Sequence, residues 1–229
     1  MQRFKLVGVM FGALFALAMM ASSASAFTLP DLSLTLSGTY PVHAQGTLPG
    51  AETKLGSATG IPLEGKGVTL LLLATGLSSL GTFTSTFTKV KIPAGEECET
   101  TGAGKGNVIS SGEYHIVPLN TTGTIGLLFL VTQFLIDCPK NTFVIKGNLI
   151  SSINAGTENQ ELTTFGGVLE GSKGKQTISE YINDTGSKIK AKLEVEVNKS
   201  GEFVGADENV VGELPLEVLG SKMIVITGR

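Results

Sequence analysis

A period-two alternation of apolar and polar residues constrains the fold of this chain more than any other feature. From Ile189 to Val197, apolar residues at odd positions alternate with Lys or Glu at even positions. Successive side chains of a strand point to opposite faces, so this pattern predicts one strand with an apolar face and a wet face. Leu32–Leu36 and Thr82–Thr88 alternate in the same way, the latter with Phe83 and Phe87 on one parity.

Turn signals separate these stretches at spacings of about ten residues. They include Pro49-Gly50, Ser111-Gly112, Gly166-Gly167 and Ser200-Gly201. The chain has no long stretch with the 3.6-residue period of a helix. Short strands separated by such turns are typical of all-β proteins, so we expect antiparallel sheets in a sandwich or barrel-like arrangement.

The N-terminus has the pattern of a secretory signal peptide. Arg3 and Lys5 precede an apolar run, Leu6–Ala21, and the small residues Ala24-Ser25-Ala26 follow it. This order predicts a signal helix that is cleaved before Phe27. The run is shorter than the roughly 20 residues that span a bilayer, which argues against the alternative of an uncleaved anchor.

Cleavage divides the sequence into three parts. Residues 1–26 are the signal peptide, residues 27–66 form a Gly/Pro/Thr-rich segment with room for one strand, and residues 67–229 form a β domain. The apolar runs Ile125–Ile136 and Val68–Leu77 are too short for membrane helices and suit buried strands. After cleavage we therefore expect no association with a membrane.

Charge and composition exclude one class of partner. Removing 26 of the 229 residues leaves 203, and the loss of Arg3 and Lys5 changes the net charge from −3 to −5. Nucleic-acid binding needs a Lys/Arg patch that neutralises phosphates, so a nucleic-acid partner is not expected.

Cys98 and Cys138 are the two cysteines of the chain. An even number of cysteines in an exported protein favours a disulfide. It would enclose 39 residues and stabilise the fold by about 3–4 kcal/mol in the chain-entropy model. Two unpaired buried thiols are the alternative. A metal site would need two more ligands, and His43 and His115 are isolated in sequence, so we interpret the pair as a structural disulfide.

Two segments around the cysteines carry a resemblance. In the first, Cys98 precedes the glycine-rich stretch Gly102-Ala103-Gly104-Lys105-Gly106 and a β-branched pair. In the second, an apolar strand ends in Cys138, and Lys146-Gly147 then precedes Leu149-Ile150. This arrangement resembles uncharacterised exported proteins that some soil actinobacteria encode in many copies. The resemblance covers roughly residues 80–215 and implies bacterial export and an all-β fold, but no activity and no catalytic residue.

Several arrangements typical of catalysis or ligand binding are incomplete in this sequence. The glycine-rich stretch at residues 102–106 lacks the Ser/Thr and the following helix of a phosphate-binding loop, and we interpret it as a flexible loop. Ser/His/Asp catalysis would need His43 or His115, and the chain has no G-x-S-x-G motif to supply the serine. We interpret His115 as a surface or hydrogen-bonded strand residue. Asp207-Glu208-Asn209 and Glu96-Glu97-Cys98-Glu99 lack a calcium-loop pattern, and we interpret them as solvated acidic turns.

These observations predict an exported structural or interaction protein of the cell surface or extracellular space, with no catalytic residue, cofactor or metal. Its partner would be a cell-surface or extracellular protein or glycan. The alternative is a secreted glycan-binding module or a glutamate-dependent hydrolase. That alternative requires a concave pocket with convergent carboxylates or an aromatic platform, and the chain has no Trp and only three Tyr.

Overall fold

A computed structural model describes residues 33–36, 42–58, 60, 63–74, 80–119, 124–157, 161–162, 164–183, 185–219 and 224–227. Every regular element in these ranges is a β-strand, which confirms the all-β prediction. The predicted signal helix and the cleavage site before Phe27 lie outside the described residues. The described part of the chain contains no helix with the length and hydropathy of a membrane span.

The described residues form eighteen strands. In chain order they are β1 Ser33–Leu36, β2 Val42–Ser57, β3 Leu63–Ala74, β4 Leu80–Phe87, β5 Glu99–Thr100, β6 Val108–Pro118, β7 Thr124–Asp137, β8 Thr142–Thr157, β9 Glu161–Leu162, β10 Thr164–Val168, β11 Gly171–Ser172, β12 Lys175–Gln176, β13 Glu180–Ile182, β14 Lys188–Lys190, β15 Leu193–Val197, β16 Phe203–Val210, β17 Leu214–Leu219 and β18 Ile224–Thr227.

The main sheet closes on itself. Strands β2, β3, β4, β6, β7 and β8 pair successively and antiparallel, and β15 and β16 complete the ring from β8 back to β2. Of the two predicted arrangements, a barrel is therefore the one observed. A closed ring satisfies the hydrogen-bonding groups that would be unpaired at the edges of an open sheet.

The ring is closed by different strands at its two ends, because β2 and β8 are long enough to pair twice. The C-terminal part of β2, Thr53–Ser57, pairs with β16, and its N-terminal part, His43–Gln45, pairs with β17. The N-terminal part of β8 pairs with β15, and Ser152–Ile153 pairs with β10, which also pairs with β17. Each end of the described ring therefore contains eight strands.

One face of every long strand fills the barrel. On β4, for example, Phe83 and Ser85 are buried and the alternating residues Thr82 and Thr84 are exposed. Phe83 packs edge-to-face on Phe129 of β7, with ring centroids 4.9 Å apart. The period-two signal in the sequence is therefore the inside–outside alternation of a barrel wall.

A second, smaller core lies outside the barrel. The hairpin of β13 and β14 packs on the outer face of β6–β8, where Tyr181 meets Val117, Leu128 and Ile150. Tyr181 is 1% exposed.

The stretch Ile189–Val197 was predicted as one strand, and this prediction is wrong. It forms β14 and β15, which belong to different sheets. The Ala191 amide donates to the Ser179 carbonyl, whereas the Lys192 carbonyl accepts from the Asn148 amide. The backbone thus changes its pairing strand between Ala191 and Lys192, while the alternation of apolar and polar residues continues. The local pattern therefore does not reveal that the strand is interrupted.

The Gly/Pro/Thr-rich segment at residues 27–66 contributes to the barrel. Within it, β2 is sixteen residues long and pairs with three other strands. The predicted boundary between this segment and the β domain, after residue 66, lies within β3. The regular strand extends through Pro49-Gly50, where the pairing register shifts between Leu48 and Glu52.

Cys98 and Cys138 form the predicted disulfide. Cys98 directly precedes β5 and Cys138 directly follows β7, and these two strands pair through Glu99 and Asp137. Cys98 is fully buried. The bond therefore fastens the short strand β5 to the barrel wall, and it indicates an oxidising environment.

Gly147 explains one part of the sequence pattern that follows Cys138. Its φ is +108°, and a Cβ at this position would collide with the Lys192 carbonyl oxygen. Only glycine adopts this backbone conformation without strain and leaves room for that carbonyl. The Lys146-Gly147 pair thus marks the point where the backbone of β8 lies close to Lys192, the residue that precedes β15.

Candidate functional site

The interior of the barrel contains two adjoining cavities. The first has a volume of about 40 Å³ and is lined mainly by Leu, Val and Phe side chains, among them Leu70, Phe129 and Leu216. The second, of about 50 Å³, is lined mainly by residues nearer β5 and β15, among them Val90 and Leu193. Each cavity has room for a few water molecules, since one water needs roughly 10–15 Å³ on this measure.

Four residues line both cavities: Phe87, Ser110, Val131 and Glu208. Three of them are apolar or neutral, whereas Glu208 carries a carboxyl group. Among the described residues that line the cavities, Glu208 is the only acidic one. The point where the two cavities meet is therefore marked by a single titratable side chain.

Strand β16 places Glu208 inside the barrel. Ala206 lies opposite Leu193 of β15, and Val204 lies opposite Val195, with all four packed in the main core. Glu208 has the same parity as Val204 and Ala206, so its side chain points to the same face. Glu208 is half-buried as a residue, and it lines both cavities.

The environment of Glu208 disfavours its negative charge. Burial raises the pKa of this carboxyl group to about 7, because a low-dielectric interior solvates an anion poorly. Within the described residues, the carboxyl group has neither an ion pair nor a hydrogen bond. Lys54 also lines the second cavity, but it is exposed and lies beside the outward-facing Asn209.

The serine hydroxyl groups of the interior already have partners. Ser85 Oγ and Ser110 Oγ are hydrogen-bonded to each other at 2.6 Å. Ser151 Oγ donates to the carbonyls of Ser152 and Val168, both at 3.1 Å. Glu208 differs from these serines because its carboxyl group has no hydrogen bond to a described residue, although Ser110 can still accept one.

The structure corrects the interpretation of Asp207-Glu208-Asn209 as a solvated turn. The three residues lie in the middle of β16, and Asp207 is 4% exposed. The β11–β12 hairpin covers Asp207 from outside the barrel, where the Gly174 amide donates to its Oδ1 at 2.5 Å. Asp207 and Glu208 point to opposite faces, so they cannot act as a pair of ligands. The described residues contain no metal-binding cluster of His, Cys, Asp and Glu.

His115 is also placed differently from the prediction. It is 3% exposed on the outer face of β6, and neither ring nitrogen has a hydrogen-bond partner among the described residues. Burial lowers the pKa of His115, while Glu113 acts in the opposite direction. Its Nε2 lies 3.9 Å from the Glu113 carboxylate. His43 lies on β2, so the two histidines are on different strands.

The glycine-rich stretch at residues 102–106 joins β5 to β6. Gly102, Gly104 and Gly106 all have positive φ angles, which suits successive tight turns. A strand begins at Val108, so the helix that a phosphate-binding loop requires is replaced by β6. This agrees with the interpretation of the stretch as a loop.

A polar depression of about 650 Å³ lies outside the barrel, between β2, β3 and the loop at residues 89–97. Three carboxylates line it, from Glu52, Glu64 and Glu97, together with four lysines. Its described lining residues include no aromatic ring. It thus offers the carboxylates that the hydrolase alternative needs, but they are interleaved with cations and have no platform for stacking a sugar.

Sequence reasoning did not identify Glu208 as a site residue, although a signal was present. In Val204-Gly205-Ala206-Asp207-Glu208-Asn209-Val210, a glutamate occupies a position whose parity is otherwise apolar. An acidic residue on the apolar parity of a strand points to a buried carboxyl group.

Comparisons of the chain with protein-family models, with curated proteins and with solved structures find no match.

Proposed function

We propose that the protein is exported and acts as a non-catalytic binding protein at the cell surface or in the extracellular space. The disulfide supports export, because disulfides persist in oxidising compartments. The N-terminal order of basic residues, apolar run and small residues before Phe27 supports it as well. The resemblance of residues 80–215 to exported bacterial proteins agrees with this assignment.

The observation that carries the binding role is the interior of the barrel, where apolar cavities meet at a carboxyl group without a partner among the described residues. Ligand sites are generally concave and apolar, with a few polar groups that orient the ligand. Eight-stranded barrels are wide enough to hold one small ligand. We therefore place the binding site inside the barrel.

The same geometry favours binding over hydrolysis. Hydrolysis of a glycosidic bond generally uses two carboxyl groups on either side of the bond. The described lining of the cavities provides only Glu208, and no histidine accompanies it. The interior thus supplies one orienting group for a ligand and lacks an acid–base pair.

Titration of the purified, oxidised protein with n-butanol tests the binding site. Methyl NMR should show saturable shifts for interior residues such as Leu70 and Leu149, and none for the exposed Leu219. Absence of any interior shift would refute an interior site. A glycan-array signal that is lost on substitution of Glu64 would instead support the alternative, a glycan-binding module or hydrolase using the outer depression.

Export is tested on protein made in a secreting bacterial host. The protein is expected in the extracellular or envelope fraction, beginning at Phe27 and without free thiols. Intracellular protein that begins at Met1 and carries two titratable thiols would contradict the assignment.

A further inference from the structure

We infer that the interior site takes a small apolar amine, whose ammonium group binds the Glu208 carboxylate while its alkyl chain fills an adjoining cavity. This inference rests on the proposed function, since it names the chemical class of the ligand of the same site.

The charge of the interior favours a cation. A carboxylate only accepts hydrogen bonds and offers about four lone-pair positions. The residues that face it from neighbouring strands are neutral, among them Leu55 of β2, Phe87 of β4, Ser110 of β6 and Val131 of β7. Lys54, the one charged residue beside the cavities, is exposed. An ammonium group would supply the positive charge that the described interior lacks.

The hydrogen-bonding groups around the junction also match an ammonium group. Such a group has three N–H donors and no acceptor. Glu208 can accept from it, and Ser110, which lines both cavities beside Glu208, is a further acceptor. Since Ser85 and Ser110 share a single hydrogen bond of 2.6 Å, the hydroxyl oxygens keep lone pairs for this contact.

The cavities set the shape of the ligand. At about 40 and 50 Å³, each is well below the roughly 150 Å³ of an apolar cavity that holds benzene. A slender unbranched chain of a few carbons fits such spaces better than a ring, and the surrounding side chains must still yield slightly. The lining consists mainly of Val, Leu, Ile and Phe side chains, and contact of an alkyl chain with them is favourable because it removes apolar surface from water.

An anionic ligand such as a fatty acid would place a second carboxylate beside Glu208, and like charges in a low-dielectric site disfavour each other. A neutral alcohol would fill the cavity without using the carboxylate charge. The amine is the class that uses both the apolar walls and Glu208.

Binding of an amine is coupled to a proton. Burial raises the pKa of Glu208 to about 7, so the carboxyl group is mostly protonated at pH 6. An alkylammonium ion stays protonated at this pH and pairs with the ionised carboxylate. The proton of Glu208 must therefore leave to the buffer on binding at pH 6, whereas at pH 8 the group has already lost it.

Isothermal titration calorimetry tests this coupling with n-butylamine and n-butanol as probes. The purified, oxidised protein is titrated at pH 6 and pH 8 in buffers of different ionisation enthalpy. We expect n-butylamine to release close to one proton at pH 6 and close to none at pH 8, as a pKa near 7 requires. For n-butanol no proton release is expected at either pH.

Glu208→Gln is the critical variant, and Glu217→Gln, an exposed residue on β17, is the matched control. Loss of one member of a buried charge pair weakens binding strongly, so Glu208→Gln should reduce amine affinity at least about tenfold. It should leave n-butanol affinity within about twofold, and the control should behave as the unmodified protein does.

The outcomes separate the two proposals. If neither probe binds, the interior site itself is refuted. If n-butanol binds but n-butylamine binds without proton release, or equally well to Glu208→Gln, the site stands and the amine inference is overturned. Should Glu208→Gln fail to fold, proton release from the unmodified protein at the two pH values still decides.

Discussion

Replacing Glu208 with Gln should remove a pH-dependent loss of stability. In the folded protein, burial raises the pKa of Glu208 from its ordinary value of 4.5 to about 7. The folded state therefore holds this proton more tightly than the unfolded chain does. The resulting stabilisation is complete below pH 4.5, declines as the pH rises, and is lost above pH 7. A change of this size corresponds to about 3 kcal/mol at ~1.4 kcal/mol per pKa unit.

Urea denaturation at intervals from pH 4.5 to pH 8 measures this effect. The difference in free energy of unfolding, Glu208→Gln minus unmodified protein, should rise by about 3 kcal/mol across this range. Other titrating groups, including His115, are present in both proteins and cancel in the difference. Glu217→Gln, which removes an exposed carboxyl group on β17, is the control for the loss of a glutamate as such. A constant difference for Glu208→Gln would refute the placement of this carboxyl group in an apolar interior.

Three further perturbations test other parts of the structure. The double substitution Cys98→Ser and Cys138→Ser should lower the free energy of unfolding in urea by about 3–4 kcal/mol, because it frees a loop of 39 residues in the unfolded chain; an unchanged value would contradict a structural role. Gly147→Ala should lower the melting temperature more than Gly95→Ala does. Both glycines have a positive φ, which strains any other residue, but only the Cβ at position 147 would meet a carbonyl oxygen. Equal losses would argue against that collision. His115→Leu should flatten the acid side of the stability profile. Burial lowers the pKa of His115, so the unfolded chain takes up a proton before the folded protein does as the pH falls through 6.5. The unmodified protein therefore loses stability in this range. Equal losses of stability between pH 7.5 and pH 5.5 in the two proteins would show that this histidine does not contribute.

Local alternation predicted the strands well, because each barrel strand has one buried and one outer face. Phe83 and Phe87 share a parity in the sequence and both line the interior. The buried position of Glu208 was equally readable from Val204, Ala206 and Val210, which have its parity. In each case the pattern depends on neighbours along the chain, which a sequence displays directly.

Pairing between strands that are distant in the chain could not be predicted from this local alternation. The closure of the ring depends on β2 meeting β16 and β17, more than 140 residues later in the chain. The break between β14 and β15 arises because Ala191 and Lys192 bond to different partners, while their alternation continues.

The carboxyl group inside the barrel is the central feature of this account, and its titration tests it most directly. The purified, oxidised protein with ¹³C-labelled glutamate is titrated by NMR, and the Glu208 side-chain carboxyl signal is assigned by its absence in Glu208→Gln. A midpoint near pH 7 is expected, because burial raises the pKa of Glu208 to about 7. A midpoint near the ordinary value of 4.5 would contradict the account, because it would mean that this side chain is solvated and not enclosed by the barrel.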